Sequence, residues 1–454
     1  MNKSIGAQSA TDPVDPVHTS ALRKITRRVM PILVLGYFIS YLDRINISFA
    51  KFGLEESFGM SATAYGFAAG IFFLGYILFE VPSSIMMRRY GARFWLTRIM
   101  VTWGLVAAAM AFAPGPNWIY ALRFLLGVAE AGFFPGVILY LTQWFPNKQR
   151  TKAIATLMMS IPIASVLGGP VNGFILDTFD GVLGIDGWRW LFLLGGLPAI
   201  LIGGIFYLVV VDSPDKAKWL TPAERTSLMR TLAAEELERS AGAPQGHGAM
   251  FKDKRVLGLA LVYFLILSGA YPLTYWLPTI VADVGGAMSG LHLGLLSAIP
   301  FAFAALAMYI VGRRIRSEGS PVPVVVTLVV AGLAFIVTAV SLDLPLIAMV
   351  TVTVATMAAQ TAKPLFWSLP TAYLSGAAAA SGIALINSLG NAAGFASPYA
   401  FGWIKDATDG NNAAPMLVMI AASLLAIVII AALYWRPRRT KLHHTTKASE
   451  CTPA

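Results

Sequence analysis

Apolar runs of about twenty residues recur along almost the whole chain, and that repetition limits the fold more than any single motif. A bilayer core about 30 Å thick is crossed by about 20 residues of helix. Within hydrocarbon a backbone has no water to bond, so each run must satisfy its own amides as a helix. Reading the runs between polar breaks gives about twelve spans, beginning near Val29, Ala62, Leu96, Trp118, Ala153, Trp188, Leu257, Leu291, Val322, Pro345, Gly382 and Ala413. With 57% of its 454 residues hydrophobic and 13% charged, the chain has little with which to cover a soluble surface. The expectation is an all-α membrane protein whose chief surroundings are the lipid bilayer.

The net charge of +11 is a matter of topology, because the basic residues alternate by loop. Lys3, Arg23, Lys24, Arg27 and Arg28 precede the first span; Arg88, Arg89 and Arg93 follow the second; Lys148, Arg150 and Lys152 follow the fourth. The loops between them carry acids instead, among them Glu55, Glu56, Asp177, Asp180, Asp186, Asp283, Asp343, Asp406 and Asp409. By the positive-inside rule the basic loops and both termini are cytoplasmic, which requires an even number of spans. No nucleic-acid partner is implied. The amino tail is too long and too acidic for a signal peptide's charged region, so the first span should be retained.

One long polar interval, residues 212–255, divides the spans six and six. The expected organisation is a cytoplasmic tail (1–28), a first half (29–211), the central loop (212–255), a second half (256–435) and a carboxyl tail (436–454). Within the loop, Thr221, Pro222 and Glu224 have the spacing of a capping box opening a short helix. The halves echo each other: "AIATLMMSI" from Ala153 and "GIALINSLG" from Gly382 each open a span, and Pro170 with Gly173 lies about as far along as Pro398 with Gly402. Two six-helix repeats around a midplane cavity are an architecture of alternating-access transporters.

Six charged residues fall inside spans, namely Asp43, Arg44, Glu80, Arg123, Glu130 and Lys363. Each costs about 2.5–3.5 kcal/mol at mid-membrane, so they are expected to face the interior and to mark a translocation path. Arg123 and Glu130 are two helical turns apart and share a face, whereas the neighbours Asp43 and Arg44 diverge by about 100° and cannot meet the same partner. Asp43 and Glu130 are the candidate proton carriers. Arg44 and Arg123 are the candidate anion holders, since a guanidinium matches a carboxylate. The structural alternative is that the same four residues are salt bridges locking spans one and four. Lys363 is either a second anion anchor or a gate. Trp367, Tyr76, and Asn387 with Asn391 at i and i+4, complete the candidate binding set, although interhelical hydrogen bonding would also explain the asparagines. Glu80, Arg88 and Arg89, near the inner ends, are candidate gating residues.

No enzyme signature, nucleotide loop or metal-ligand spacing is present; the histidines lie in tails, loops or at a span edge, and Cys451 is the one cysteine. Neither a cofactor nor direct drive by ATP is expected, which leaves coupling to an ion gradient, here protons.

Taken together, "YLDRINIS", "RFLLGVAEAGFFPGVILYLTQWFP", "GWRWLFLLGGLPAILIG", "SPDKAKWLTPAER" and "GIALINSLGNAAGF" resemble the anion:cation symporter branch of the major facilitator superfamily, with its tartrate, phthalate, galactonate and hexuronate permeases and sialin. The resemblance implies a twelve-helix transporter that works as a monomer on a small organic anion. It also implies that proton coupling and anion binding fall on Asp43, Arg44, Arg123 and Glu130. The inner loop "SIMMRRYGAR" departs from the superfamily's Gly and Asp pattern, and "TLMMSIPIAS" lacks the Gln that sugar-acid permeases of the branch carry. That absence tilts the expected substrate toward tartrate-like or aromatic carboxylates. "GGPVNG" is similar to the superfamily's antiporter pattern and keeps an exporter or exchanger in view. A transporter-like sensor is the remote alternative, because neither the tails nor the central loop has room for a folded signalling domain.

Overall fold

The computed structural model describes residues 16–241, 253–314, 319–374 and 376–434. Everything regular in them is helical. The first half comprises α1 (Pro16–Phe58), α2 (Ala62–Tyr90), α3 (Ala92–Ala109), α4 (Pro116–Glu130), α5 (Phe133–Trp144), α6 (Asn147–Met158), α7 (Ser160–Phe179) and α8 (Gly187–Val209). The connecting helix α9 (Pro222–Ala241) follows. The second half comprises α10 (Lys254–Gly285), α11 (Gly290–Arg314), α12 (Val322–Val340), α13 (Pro345–Phe366), α14 (Ser368–Tyr373), α15 (Gly376–Asn391), α16 (Ala393–Ala407) and α17 (Ala413–Tyr434).

Among the described residues eleven helical rods are long and apolar enough to cross a membrane. The segment expected as the eleventh of twelve spans, near Gly382, is not one of them. It is divided at Ala392 into α15 and α16, although Ala392 keeps right-handed helical angles between them. Twelve crossings are consistent with this chain path. Large apolar residues such as Leu201, Leu208, Leu333 and Val428 lie exposed on the outward faces, the distribution a bilayer solvates.

Lipid offers no hydrophobic drive for helix association, so close packing depends on small residues. A Cβ on Gly104 of α3 would press on the Gly196 carbonyl of α8, and one on Gly196 would press on the Gly104 carbonyl. Between the halves, α2 packs on α16, α7 on α11, and α1 on α10. "Outer" here denotes the end of the bundle opposite Pro16 and Tyr434.

The first helix extends from Pro16, well before the apolar run that starts near Val29, and this extension docks on the segment joining the halves. Ser20 and Lys24 donate to Glu224 at 2.7 and 2.9 Å, and the Arg28 guanidinium lies 5.6 Å from the Trp219 ring. Glu224 is also the capping-box acid: it accepts from the Thr221 amide at 2.9 Å, and its own amide donates to the Thr221 hydroxyl at 3.3 Å. The Lys24 hydrogen bond, with those from Thr221 and Ser20, draws its carboxyl down to about 2.

Candidate functional site

Span four is not a continuous helix, and the break sets the site. After Glu130, Ala131 turns extended and Gly132 takes φ +83°, ψ 0°, a left-handed conformation that glycine enters without the usual steric penalty. Helix α4 therefore ends at Glu130 and α5 begins at Phe133. Upstream, Gly127 allows α4 to lie against α2, because a Cβ there would collide with the Phe72 carbonyl. Glu130 is thus delivered, 1% exposed, to a point facing α1.

Arg44 meets it there. Arg44 Nη2 lies 2.6 Å and Nε 3.0 Å from Glu130 Oε1, and the Ser40 hydroxyl donates to the same oxygen at 2.6 Å. Glu130 Oε2 is buried without a hydrogen-bond partner. The Arg44 side chain keeps 15% exposure, and the rings of Tyr41, Phe72 and Tyr76 stand 5.1, 5.1 and 5.3 Å from its guanidinium carbon. Three rings around a guanidinium form a cation–π box that holds the charge in place without neutralising it.

Arg123 is fully buried and bonds backbone instead, donating to the Ala68 and Ala69 carbonyls of α2 at 3.2 and 3.3 Å. Its guanidinium lies 5.2 Å from the Phe72 ring, so Phe72 has both arginines within about one ring's width. The pairing of Arg123 with Glu130, one alternative left by their spacing, is not the one formed. Asp43 does not pair with Arg44 either. It is 1% exposed, both of its oxygens lack hydrogen bonds, and it lies toward α8, where a Cβ on Gly195 would stand 3.5 Å from Oδ1. Asn46 beside it donates to the Leu191 carbonyl at 3.3 Å.

In the second half Lys363 makes no ion pair or hydrogen bond among the described residues. Trp367, one turn on, packs with Tyr263 at 4.9 Å, and Tyr263 stacks on Phe366 at the same distance. Asn391 accepts from the Tyr271 hydroxyl at 3.1 Å, an interhelical bond from α15 to α10, while Asn387 bonds nothing described. Glu80, Arg88 and Arg89 form no ion pair with one another; both arginines are exposed, and Arg89 lies over Tyr90 at 5.6 Å. The structure thus gathers Arg44, Glu130 and Tyr76 and leaves Asp43, Arg123, Lys363 and the inner-end charges apart. Ser40 and Phe72 are the members that sequence reasoning missed. Nothing about a lone serine or phenylalanine in an apolar helix marks it, although Ser40 lies one helical turn before Arg44.

An internal ion pair set at a helix break in a two-half helical bundle is an arrangement suited to a membrane transporter. The pattern of the Major Facilitator Superfamily matches residues 33–398, and the chain belongs to that family. A "Putative tartrate transporter" of Agrobacterium vitis is 44% identical over 414 residues, 90% of each chain. A "Quinolone resistance transporter" of Acinetobacter baumannii is 38% identical over 92% of this chain and 96% of its own. The "Inner membrane transport protein RhmT" of Escherichia coli is 34% identical over 90% of this chain and 94% of its own. Among solved structures, the xylose transporter XylE of E. coli in a partially occluded inward open conformation is similar in fold, with TM-score 0.71 at 18% identity over 90% of this chain and 98% of that one. The protein is a multi-pass membrane transporter.

Proposed function

We propose that the protein imports a small organic carboxylate together with protons, by alternating access. The observation that carries this reading is the Arg44–Glu130 contact, in which a carboxylate of the protein occupies the donors that a substrate carboxylate would need. The two acids compete for one guanidinium. A proton on Glu130, for which the unpartnered Oε2 is the open position, removes the charge that holds Arg44 and frees Nε and Nη2 for the substrate. Loss of that proton inside restores the internal pair and expels the anion. Asp43, buried and unpartnered, is the second carrier in this scheme, and Lys363 the second anion anchor. The bacterial inner membrane is the proposed location, in keeping with the RhmT name.

Tartrate-like acids are the first candidates because a relative at 44% identity carries that name. Aromatic acids are the second, since Tyr41, Phe72 and Tyr76 ring the free side of Arg44. The test is a thermal-shift screen of purified protein against tartrate, sugar acids, phthalate, hydroxyphenylacetate and nicotinate, with Arg44→Ala alongside. A ligand at one hundred times its Kd stabilises by about 2.7 kcal/mol, so a substrate should raise the melting point of wild type and leave Arg44→Ala unmoved. If neutral or cationic compounds shift it while no carboxylate does, the anion reading is lost.

Export or exchange is the second reading, favoured by the quinolone-resistance name of a relative at 38% identity. The "GGPVNG" segment adds little to it. A Cβ on Gly169 would collide with the Gly294 carbonyl, so that glycine already serves close packing of α7 on α11. Reversing the pH gradient separates the readings: a symporter then drives efflux, an antiporter uptake.

A further inference from the structure

Two contacts at the outer end of the bundle are built alike, and the anion site requires neither. Helix α7 closes with Gly173 and Asp177, and α16 with Gly402 and Asp406, the glycine four residues before the aspartate in each. Asp177 accepts from the Gly290 amide at 2.6 Å through Oδ1 and from the Leu291 amide at 2.8 Å through Oδ2, the first two amides of α11. Asp406 accepts from the Ala62 amide at 3.0 Å through Oδ1 and from the Thr63 amide at 2.7 Å through Oδ2, the first two amides of α2. The glycines match as well. A Cβ on Gly173 would collide with the Gly290 carbonyl and one on Gly402 with the Ala62 carbonyl, in each case the residue whose amide the aspartate holds.

Every one of these bonds crosses between the halves, since α2 and α7 belong to the first and α11 and α16 to the second. Each half contributes one carboxylate and one helix start, which is the pseudo-twofold relation of the repeats made into a contact. The amides at a helix start lack intrahelical acceptors and carry partial positive charge, so a carboxylate bonds them strongly. Neither helix depends on its visiting aspartate to begin. Ser61 accepts from the Ala64 amide at 3.3 Å and Ser289 from the His292 amide at 3.3 Å, so each start has a cap of its own that stays when the aspartate leaves.

We propose that Asp177 and Asp406 are paired latch residues that hold the outer end of the transporter closed, and that both must release before solute enters from that side. The aspartates act on the conformational equilibrium and touch no substrate, and the inference does not depend on which solute is carried.

The test uses the full chain in nanodiscs, with Cys451→Ser and spin labels at Val182→Cys and Asp343→Cys, two outer loops on opposite halves. Distance distributions are compared for the parent, Asp177→Ala, Asp406→Ala and the double variant. Losing one cap-like contact should raise the ratio of long to short distances about fivefold, and the double variant should exceed either single one. Asn at either position keeps one acceptor and loses the charge, so it should fall between Asp and Ala. Melting curves for each variant confirm that the labelled protein is folded. A folded double variant with the parent's distance distribution would overturn the latch, as would Asn variants that open the outer end as far as Ala.

Discussion

Arg44 on α1 and Glu130 on α4 stand 2.6 Å apart, with the carboxylate 1% and the guanidinium 15% exposed. Each is the other's counter-charge in a place where neither would otherwise be stable. Removing one partner of a buried pair strands the other, at a cost of roughly 3–5 kcal/mol. Arg44→Ala should therefore lower the melting temperature more than Glu130→Gln, because a stranded Glu130 is buried while a freed Arg44 keeps its ring box and partial exposure. A calorimetric scan of the two variants checks the order. Equal losses would mean that the rings do not hold the guanidinium.

Arg123 presents a contrast. It bonds the carbonyls of Ala68 and Ala69, so Arg123→Lys, which keeps the charge and loses the fork, should destabilise the α2–α4 contact by about 1–3 kcal/mol. Ligand selectivity should be retained in this variant. A melting curve and a ligand series on the same sample separate these effects.

Gly127 gives a steric prediction. The Phe72 carbonyl occupies the space a methyl would need, and backbone cannot swing aside as a side chain can. Gly127→Ala should cost about 1–3 kcal/mol and push α4 off α2, displacing Glu130 from Arg44. Loss of stability together with loss of ligand response is the expected pair of results.

The charged residues within the spans were legible because charge in hydrocarbon is conspicuous, and the expectation that Asp43 and Arg44 diverge follows from helix geometry alone. Their partners were less legible. Seven-residue spacing puts Arg123 and Glu130 on one face, but the Gly132 break and the reach of Arg44 decide who meets whom, and both depend on tertiary packing. Asp177 and Asp406 read as ordinary outer-loop acids. The signal was present in the repeated spacing of Gly173 to Asp177 and Gly402 to Asp406, but nothing in the chain says which helix start each would find. The run near Gly382 is helical, as expected, but it is not among the apolar rods, and its division at Ala392 was not foreseen, since "NAAGF" contains no residue that forbids helix.

At the end of the bundle opposite the latch, Glu224 joins α9 to α1 with its carboxyl drawn down to about 2 by Lys24, Thr221 and Ser20. A carboxyl lowered on folding stabilises the folded form above its ordinary range near 4.5, and that contribution fades as pH falls from there toward 2. Hydrogen exchange over residues 16–28 should quicken relative to the protein's core across that window. Glu224→Gln should show the quicker exchange already at neutral pH and lose the pH dependence.

The most direct test of the central claim is uptake into proteoliposomes with the interior made alkaline, using the carboxylate that stabilises the purified protein. Wild type should accumulate it above equilibrium and lose that accumulation when the pH gradient is collapsed. Glu130→Gln should exchange labelled for unlabelled substrate yet accumulate none. Accumulation by Glu130→Gln at the wild-type level, or wild-type accumulation indifferent to the gradient, would contradict a proton-driven exchange of partners at Arg44.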